Sequence, residues 1–182
     1  MITRVAFITI LLVISGRLFA QEVVKRTTGS HDEQMIDLTV DVKAPLDSVW
    51  YAWTTKEGLE NFFAPQANVD LKPGGLYEIF FEPGKPAGER GADDMHIMAI
   101  EPKRFLSFTW NAPGKFPEVR KQRTLVGLRF KELPGGVTQV KLTQTGWGEG
   151  KEWQDVFHYF SEAWASVLES LKSTLELSAE KK

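Results

Sequence analysis

The side chains that could act as acids, bases or metal ligands lie far apart in this sequence. The three histidines, His31, His96 and His158, show no spacing typical of a metal site, and the chain contains no cysteine. Disulfide bonds, thiolate catalysis and cysteine metal sites are therefore excluded.

His96 is the histidine best placed for catalysis, because it lies within a predicted strand at residues 95–100. It could serve as a general base if its side chain faced the interior. Both faces of this strand are mostly apolar, so the alternation does not decide its orientation, and an outward-facing histidine is the competing interpretation. His158 falls off the apolar face of a predicted helix, and we expect it to face solvent.

The sequence also contains two acidic pairs that could act as an acid and base or bind a metal. Glu78 and Glu82 share one face of a predicted strand, where they fit the solvent side of a sheet. Asp93 and Asp94 lie in a predicted loop, but a metal site would need further oxygen ligands at defined spacing. We therefore predict no catalytic residue, no metal site and no cofactor.

Aromatic residues are more informative, since 12 Phe, 6 Trp and 3 Tyr make up 12% of the chain. Such rings suit either a cavity for an apolar ligand or a core filled by its own side chains. We expect Tyr77 and the tryptophan N–H groups to orient a ligand. The predicted ligand-binding residues are Trp53, Phe62, Tyr77, Ile79, Phe81, Phe108, Trp110, Val126, Leu128, Trp153, Phe157, Phe160 and Trp164.

A long amphipathic helix is predicted from Glu152 to about Leu177. Its apolar residues recur at steps of three and four, which places them on one helical face. These residues are Trp153, Phe157, Phe160, Trp164, Val167, Leu168, Leu171 and Leu175. The aromatic first turns suit a helix lying in the concave side of a curved sheet. A two-helix seam is the alternative, but the pattern spans fewer than three heptads, with Trp at positions that favour Leu or Val.

The preceding chain alternates apolar and polar residues over short segments, which is typical of half-buried strands. Strands are predicted at residues 34–43, 68–71, 76–82, 95–100, 105–110, 123–131 and 137–145. Two short helices are expected after the first strand, at Leu46–Thr54 and after the capping residue Thr55. The loops at 83–94 and 111–122 are longer than sheet turns require, and such loops often gate a site.

This order predicts an α+β fold. A curved antiparallel sheet of about six or seven strands wraps around the C-terminal helix, because that helix is the one predicted element long and apolar enough to cover the sheet.

The N-terminal residues are typical of a secretory signal peptide. Arg4 precedes an apolar run at residues 5–14, and Ala20 precedes the expected cleavage site. The run is about half of the ~20 residues that a membrane span needs. We predict a signal peptide at 1–20, a linker at 21–33 and one domain at 34–178 of a periplasmic or secreted protein. An uncleaved anchor is the alternative.

The net charge of −2, without a long basic run, gives no case for nucleic-acid binding.

Several short segments together resemble a known superfamily. They are Ala44-Pro45 with Val49-Trp50, Pro73-Gly74-Gly75 before Tyr77, Glu101-Pro102, Leu106 through Trp110, Thr124-Leu125-Val126, Gly136-Val137-Thr138, Thr143 through Trp147, and Trp164 through Leu171. In this order the chain resembles the helix-grip (SRPBCC) superfamily of START and pollen-allergen-like domains. Within it, the chain is most similar to the branch of the heat-shock-90 ATPase activator C-terminal domain.

The resemblance implies a cavity between the sheet and the long helix, which the superfamily uses for lipids, sterols, polyketides and other apolar ligands. Some members catalyse cyclisation or dehydration, and the eukaryotic activator docks on a chaperone. The predicted signal peptide departs from that last role, since the chaperone is cytoplasmic.

Three functional hypotheses follow. The leading one is an exported protein that binds a small apolar or amphipathic molecule, with no nucleic-acid partner and no stable membrane span after cleavage. The second is a cyclase- or lyase-type enzyme that uses the same cavity. The third is an envelope protein-interaction or chaperone-assisting module, which would need an exposed apolar patch.

Overall fold

The computed structural model describes residues 25–26 and 34–180. The strands are β1 (Lys25–Arg26), β2 (Ile36–Val42), β3 (Gln66–Val69), β4 (Tyr77–Phe80), β5 (Gly91–Ala92), β6 (Ile97–Glu101), β7 (Phe105–Trp110), β8 (Thr124–Leu133) and β9 (Val137–Thr145). The helices are α1 (Leu46–Thr54), α2 (Lys56–Phe62), α3 (Pro117–Arg120) and α4 (Lys151–Glu180). The predicted signal peptide lies outside the described residues, as does the predicted linker apart from β1.

The strands form two antiparallel sheets instead of the single sheet that the sequence predicted. Six of them pair in the order β1-β2-β9-β8-β7-β6, and the other three pair in the order β3-β4-β5. An isolated bridge between Leu76 and His96 connects the sheets, and Tyr77 N–H donates to the Met95 carbonyl at 2.8 Å. The predicted α+β helix-grip fold is confirmed, with its curved wall divided into two linked parts.

Alternation places one face of each long strand in the core. In β8, Val126, Leu128 and Phe130 are buried, whereas Arg129 and Lys131 are exposed. β9 pairs with β8 along its whole length and follows the same rule, because successive side chains of a strand point to opposite faces.

The two short helices begin and end close to the predicted positions. Thr55 caps α2, since its hydroxyl accepts a 3.0 Å hydrogen bond from Gly58 N–H, which satisfies one of the free donors of the first turn. Gly58 lies so close to α1 that an added Cβ would overlap the backbone of Tyr51 and Ala52. This close packing sets the sharp turn between the helices.

The long helix α4 packs against β2 and α2. The predicted apolar face is buried or half-buried along its length, and Val156, which was not among the predicted residues, belongs to it as well. Ser170 Oγ donates a 2.8 Å hydrogen bond to the Phe62 carbonyl and so ties α4 to the end of α2. None of the helices in the described part of the chain is both long and apolar enough to span a membrane.

Some predicted boundaries were wrong. The strand predicted at 68–71 lies at 66–69, the first long loop contains β5, and the second contains α3. Phe81, one of the predicted ligand-binding residues, is 47% exposed, whereas its neighbour Phe80, for which no role was predicted, is 3% exposed. The reason is that β4 ends at Phe80, whose ring is covered by the Arg90 guanidinium at 3.9 Å from its centroid.

Candidate ligand-binding cavity

A cavity of about 280 Å³ opens where the two long loops meet the first half of α4. Its volume is just below the range of roughly 300–1,000 Å³ that is typical of small-molecule sites. The residues that line it are Phe63, Phe81, Glu82, Glu89, Arg90, Gly91, Ala92, Trp110, Asn111, Pro113, Gly114, Arg120, Tyr159, Phe160, Ala163, Trp164 and Val167. The site therefore has an aromatic wall and a polar side.

The aromatic wall consists of rings contributed by separate elements. Trp110, at the end of β7, lies 5.0 Å from Trp164 of α4 between ring centroids. Phe63 stacks on Trp110 at 5.9 Å, and Phe160 stacks on Trp164 at 6.2 Å. Ala163 and Val167 of α4 also line the cavity, and the small Ala163 side chain leaves it room.

A buried amide holds this wall in place. Gln144 is fully buried; its Oε1 accepts a 2.7 Å hydrogen bond from Trp164 Nε1, and its Nε2 donates to Thr124 Oγ1 at 2.8 Å. The Thr124 hydroxyl in turn donates to the Trp110 carbonyl at 3.2 Å. One network thus connects both tryptophans, and buried polar networks that are satisfied make a core rigid.

The polar side is built around Arg120, which joins the two loops. One terminal nitrogen of its guanidinium donates to the Ala112 carbonyl of the second loop. The other terminal nitrogen donates to the carbonyls of Gly88 and Gly91 in the first loop, at 2.6 and 2.9 Å. Arg120 therefore holds the loops together at the edge of the cavity.

Asp93 holds the first loop in place through hydrogen bonds to its side-chain carboxylate. Its carboxylate accepts hydrogen bonds from Arg90 Nε at 2.7 Å and from the backbone N–H groups of Gly88 and Gly91 at 3.0 Å. Burial raises the pKa of Asp93, but these hydrogen bonds and the Arg90 charge outweigh it, and the net pKa lies below the usual value of 3.8. For Arg120, burial is the main cause that lowers the pKa.

The second loop is also attached to the start of α4. Glu152 Oε1 accepts hydrogen bonds from the N–H groups of Glu118 and Val119, both at 2.9 Å. These are the free donors at the beginning of α3. The loop that covers the cavity is therefore held at both ends of its short helix.

Four of the predicted ligand-binding residues line the cavity: Phe81, Trp110, Phe160 and Trp164. Seven others are buried in the packed core away from it: Trp53, Phe62, Tyr77, Ile79, Phe108, Val126 and Leu128. Trp153 and Phe157 pack around Trp147, at 6.3 and 5.0 Å between ring centroids. Most of the interior is thus filled, and open space remains at the loop end.

Two of the groups predicted to orient a ligand form hydrogen bonds within the core instead, whereas the buried Trp53 Nε1 has no hydrogen-bond partner among the described residues. The Tyr77 hydroxyl donates to the Trp53 carbonyl at 2.8 Å within the core, and burial raises the pKa of Tyr77 well above its usual value. Trp164 Nε1 is bonded to Gln144. The polar side chains that line the cavity belong instead to Glu82, Glu89, Arg90, Asn111 and Arg120.

His96 does not face the cavity. Its neighbours Met95 and Ile97 are buried, whereas the His96 side chain is 40% exposed, with Nε2 3.9 Å from Asp94 Oδ1. The enzyme hypothesis therefore loses its best candidate base. His158 is exposed, as expected. Within the described residues, no group of three or more His, Asp or Glu side chains is arranged to hold a metal ion.

Sequence reasoning missed Arg120, Asn111 and Gln144. The alternation of β9, which buries Thr138, Val140 and Leu142, predicts that Gln144 also faces inward, so a signal for it was available. Arg120 and Asn111 lie in the loop that was predicted to gate a site, but no periodicity indicates which side chain of a loop faces a cavity.

Comparisons with known proteins agree with this architecture. The family model described as Activator of Hsp90 ATPase homolog 1-like protein matches residues 43–176. Protein MLL2253 from Mesorhizobium loti is 22% identical, with a TM-score of 0.60, and the match covers 77% of this chain and 96% of that one. CalU16 from Micromonospora echinospora is also 22% identical, with a TM-score of 0.60 and 87% of each chain covered.

A third similar structure is the Aha1 dimer from Colwellia psychrerythraea, which is 22% identical, with a TM-score of 0.59 and with 78% of this chain and 96% of that one covered. At this identity the structural matches show the fold alone. No curated protein matches the chain.

Proposed function

Since the chain belongs to the Activator of Hsp90 ATPase homolog 1-like family, we propose that it uses the helix-grip cavity to bind a small apolar or amphipathic ligand. One observation carries the proposal. Core side chains fill most of the interior formed by the described residues, and at the loop end Trp110, Trp164 and Phe160 line open space next to Arg120 and Asn111. An apolar wall facing a few convergent polar groups is the usual composition of a ligand site.

Binding would be driven by desolvation. Apolar ligand surface removed from water contributes roughly 25 cal/mol per Å². The rings that receive it are held by the Gln144 network, so little side-chain freedom is lost when a ligand enters, and preorganisation of this kind favours affinity. The cavity volume of about 280 Å³ favours a single small molecule over a long lipid chain.

The proposal includes export, with cleavage after Ala20. The charge of Arg4 and the short apolar run that follows it support export, because both are typical of a signal peptide. Expression of the full chain in a bacterium, followed by intact-mass measurement of the periplasmic protein, tests this step. We expect a mature N-terminus at Gln21, and a full-length protein retained with the membrane would contradict it.

A neutral environment-sensitive dye, N-phenyl-1-naphthylamine, tests the binding proposal. We expect saturable dye fluorescence and a change in tryptophan emission, because Trp110 and Trp164 line the cavity. Ala163→Phe should fill the space and weaken dye binding at least about tenfold, equivalent to about 1.4 kcal/mol.

Ser166→Phe is the matched control, since Ser166 is exposed on the same helix one turn further along. It adds the same ring without filling the cavity, and dye affinity should remain within about twofold of the parent protein. Dye binding that is absent, or equally strong in both variants, would contradict the proposed function.

A further inference from the structure

We infer that the ligand of this cavity carries an anionic head group, of the carboxylate class, which binds Arg120 while its apolar part lies against Trp110 and Trp164. This inference rests on the proposed function and specifies the ligand's chemistry. It starts from the charge balance around Arg120, which has no carboxylate at hydrogen-bonding distance among the described residues.

The Arg120 side chain is 19% exposed, and its hydrogen-bond acceptors are three neutral backbone carbonyls. A guanidinium has five N–H donors, so these three hydrogen bonds leave two donors unused. The nearest carboxylate oxygen, Asp93 Oδ2, is 3.9 Å away. Asp93 instead accepts a direct 2.7 Å hydrogen bond from Arg90, so one buried carboxylate is shared between two guanidinium groups.

A half-buried cation whose charge is only partly compensated is costly, because little water remains to solvate it. The charges of Asp93 and Glu89 favour the charged form of Arg120, but burial outweighs them. The lowered pKa of Arg120, which burial causes, agrees with this incomplete compensation. A ligand carboxylate would supply the missing charge through charge-assisted hydrogen bonds, which are about twice as strong as neutral ones. The structure thus favours an anion over a neutral polar group at this position.

Two acidic residues also line the cavity, but both are exposed to solvent. Glu82 is paired with Lys85 Nζ at 2.6 Å, and Glu89 lies in the exposed part of the first loop. Across the opening, Lys115 Nζ lies 4.5 Å from the centroid of the Tyr159 ring, which lines the cavity. Glu89 acts on Arg120 through its charge, but solvent screens exposed charges more than a half-buried one, so we expect the two acids to offset the Arg120 charge only in part.

Asn111 completes the polar side. It is 7% exposed and its Nδ2 donates a long 3.4 Å hydrogen bond to the Gly91 carbonyl, which Arg120 also contacts. Asn111 is therefore the position at which a negative charge can be placed beside Arg120 with almost no change in shape and without removing the loop contacts of Arg120.

The test compares octanoate with octan-1-ol, which have equal chain lengths and different head groups, by displacement of N-phenyl-1-naphthylamine at pH 7.5. We expect octanoate to bind at least about tenfold more tightly, a difference of about 1.4 kcal/mol. Arg120→Gln should abolish this preference, because octanoate should lose at least about tenfold more affinity than octan-1-ol loses.

Asn111→Asp should also abolish the octanoate preference, because it places a negative charge beside Arg120 while the Arg120 side chain stays in place. A loss of loop structure in Arg120→Gln therefore cannot account for both results. Arg104→Gln is the charge-matched control, because Arg104 is exposed and paired with Glu101 outside the cavity. It should leave the octanoate preference unchanged.

Two outcomes separate this inference from the proposed function. Equal affinity for the acid and the alcohol, or a preference that survives both Arg120→Gln and Asn111→Asp, would overturn the inference and leave a ligand-binding protein. Failure of the dye, the acid and the alcohol to bind would overturn the proposed function together with it.

Discussion

Gln144 Oε1 accepts a 2.7 Å hydrogen bond from Trp164 Nε1, and this bond joins the central part of the sheet to the C-terminal helix inside the core. Both residues are almost completely shielded from solvent. The same Gln144 amide donates to Thr124 on the neighbouring strand. A polar side chain therefore sets the position of the tryptophan that forms one wall of the cavity.

Replacing the Gln144 amide should destabilise the folded protein. In Gln144→Leu, Trp164 Nε1 and Thr124 Oγ1 both lose a buried partner, and we expect the free energy of unfolding to fall by about 2–3 kcal/mol, since each unsatisfied buried group costs roughly 1–3 kcal/mol. Urea denaturation measures the change. The control is Gln139→Leu on the outward face of the same strand, where the side chain bonds exposed Asp41, and its effect should stay below about 0.5 kcal/mol. Equal losses in the two variants would show that the Gln144 network contributes little.

Tyr77 should matter for stability and not for binding. Tyr77→Phe leaves the Trp53 carbonyl without the hydroxyl that donates to it, and we expect a loss of about 1–2 kcal/mol with unchanged dye affinity. Tyr51→Phe is the control, because Tyr51 is 50% exposed. A weakened dye affinity in Tyr77→Phe would support the orienting role that the sequence suggested.

The same residue predicts a dependence on alkaline pH. Burial raises the pKa of Tyr77 above its usual value of 10.0, so above about pH 10 the unfolded chain loses this proton before the folded protein does. The contribution of Tyr77 to stability is complete below pH 10 and falls as the pH rises further. The urea midpoint should therefore fall more between pH 9 and pH 11 in the parent protein than in Tyr77→Phe. Equal decreases in the two proteins would contradict this account.

Asp93 should stabilise the first loop at neutral pH and lose this effect in acid. Its folded pKa lies below 3.8, so its contribution is present above about pH 4 and is lost as the pH falls through the folded value. We expect Asp93→Asn to lower the free energy of unfolding by about 1–2 kcal/mol at pH 7, because the substitution removes the oxygen that accepts from Gly91 N–H. The difference from the parent protein should shrink at pH 2.5.

Asp94→Asn is the matched control for this prediction. The Asp94 side chain is 75% exposed, and its φ of 58° lies in the left-handed region that asparagine also tolerates. Its stability should change by less than about 0.5 kcal/mol. An Asp93→Asn effect that is the same at pH 7 and pH 2.5 would mean that the charge of Asp93 is not what stabilises the loop.

Local patterns were sufficient for most of the fold. Helix α1 begins and ends at the predicted residues Leu46 and Thr54, and Thr55 caps α2 as expected. β7 and β9 also have their predicted bounds. These features depend on side-chain periodicity and capping, which act over a few residues. The alternation did not indicate that Phe80 is buried, because β4 ends there and a loop arginine covers its ring.

The sequence by itself determined that a ring-lined helix lies against a curved antiparallel wall, because periods of two and of three to four are properties of each segment alone. Only the tertiary structure decided where space remains and which charges face it. Trp110 and Trp164 are 54 positions apart, and Arg120 reaches the carbonyls of Gly88 and Gly91 in a different loop. Such distances follow from how separate elements pack together, and that information is not contained in the pattern of any one of them.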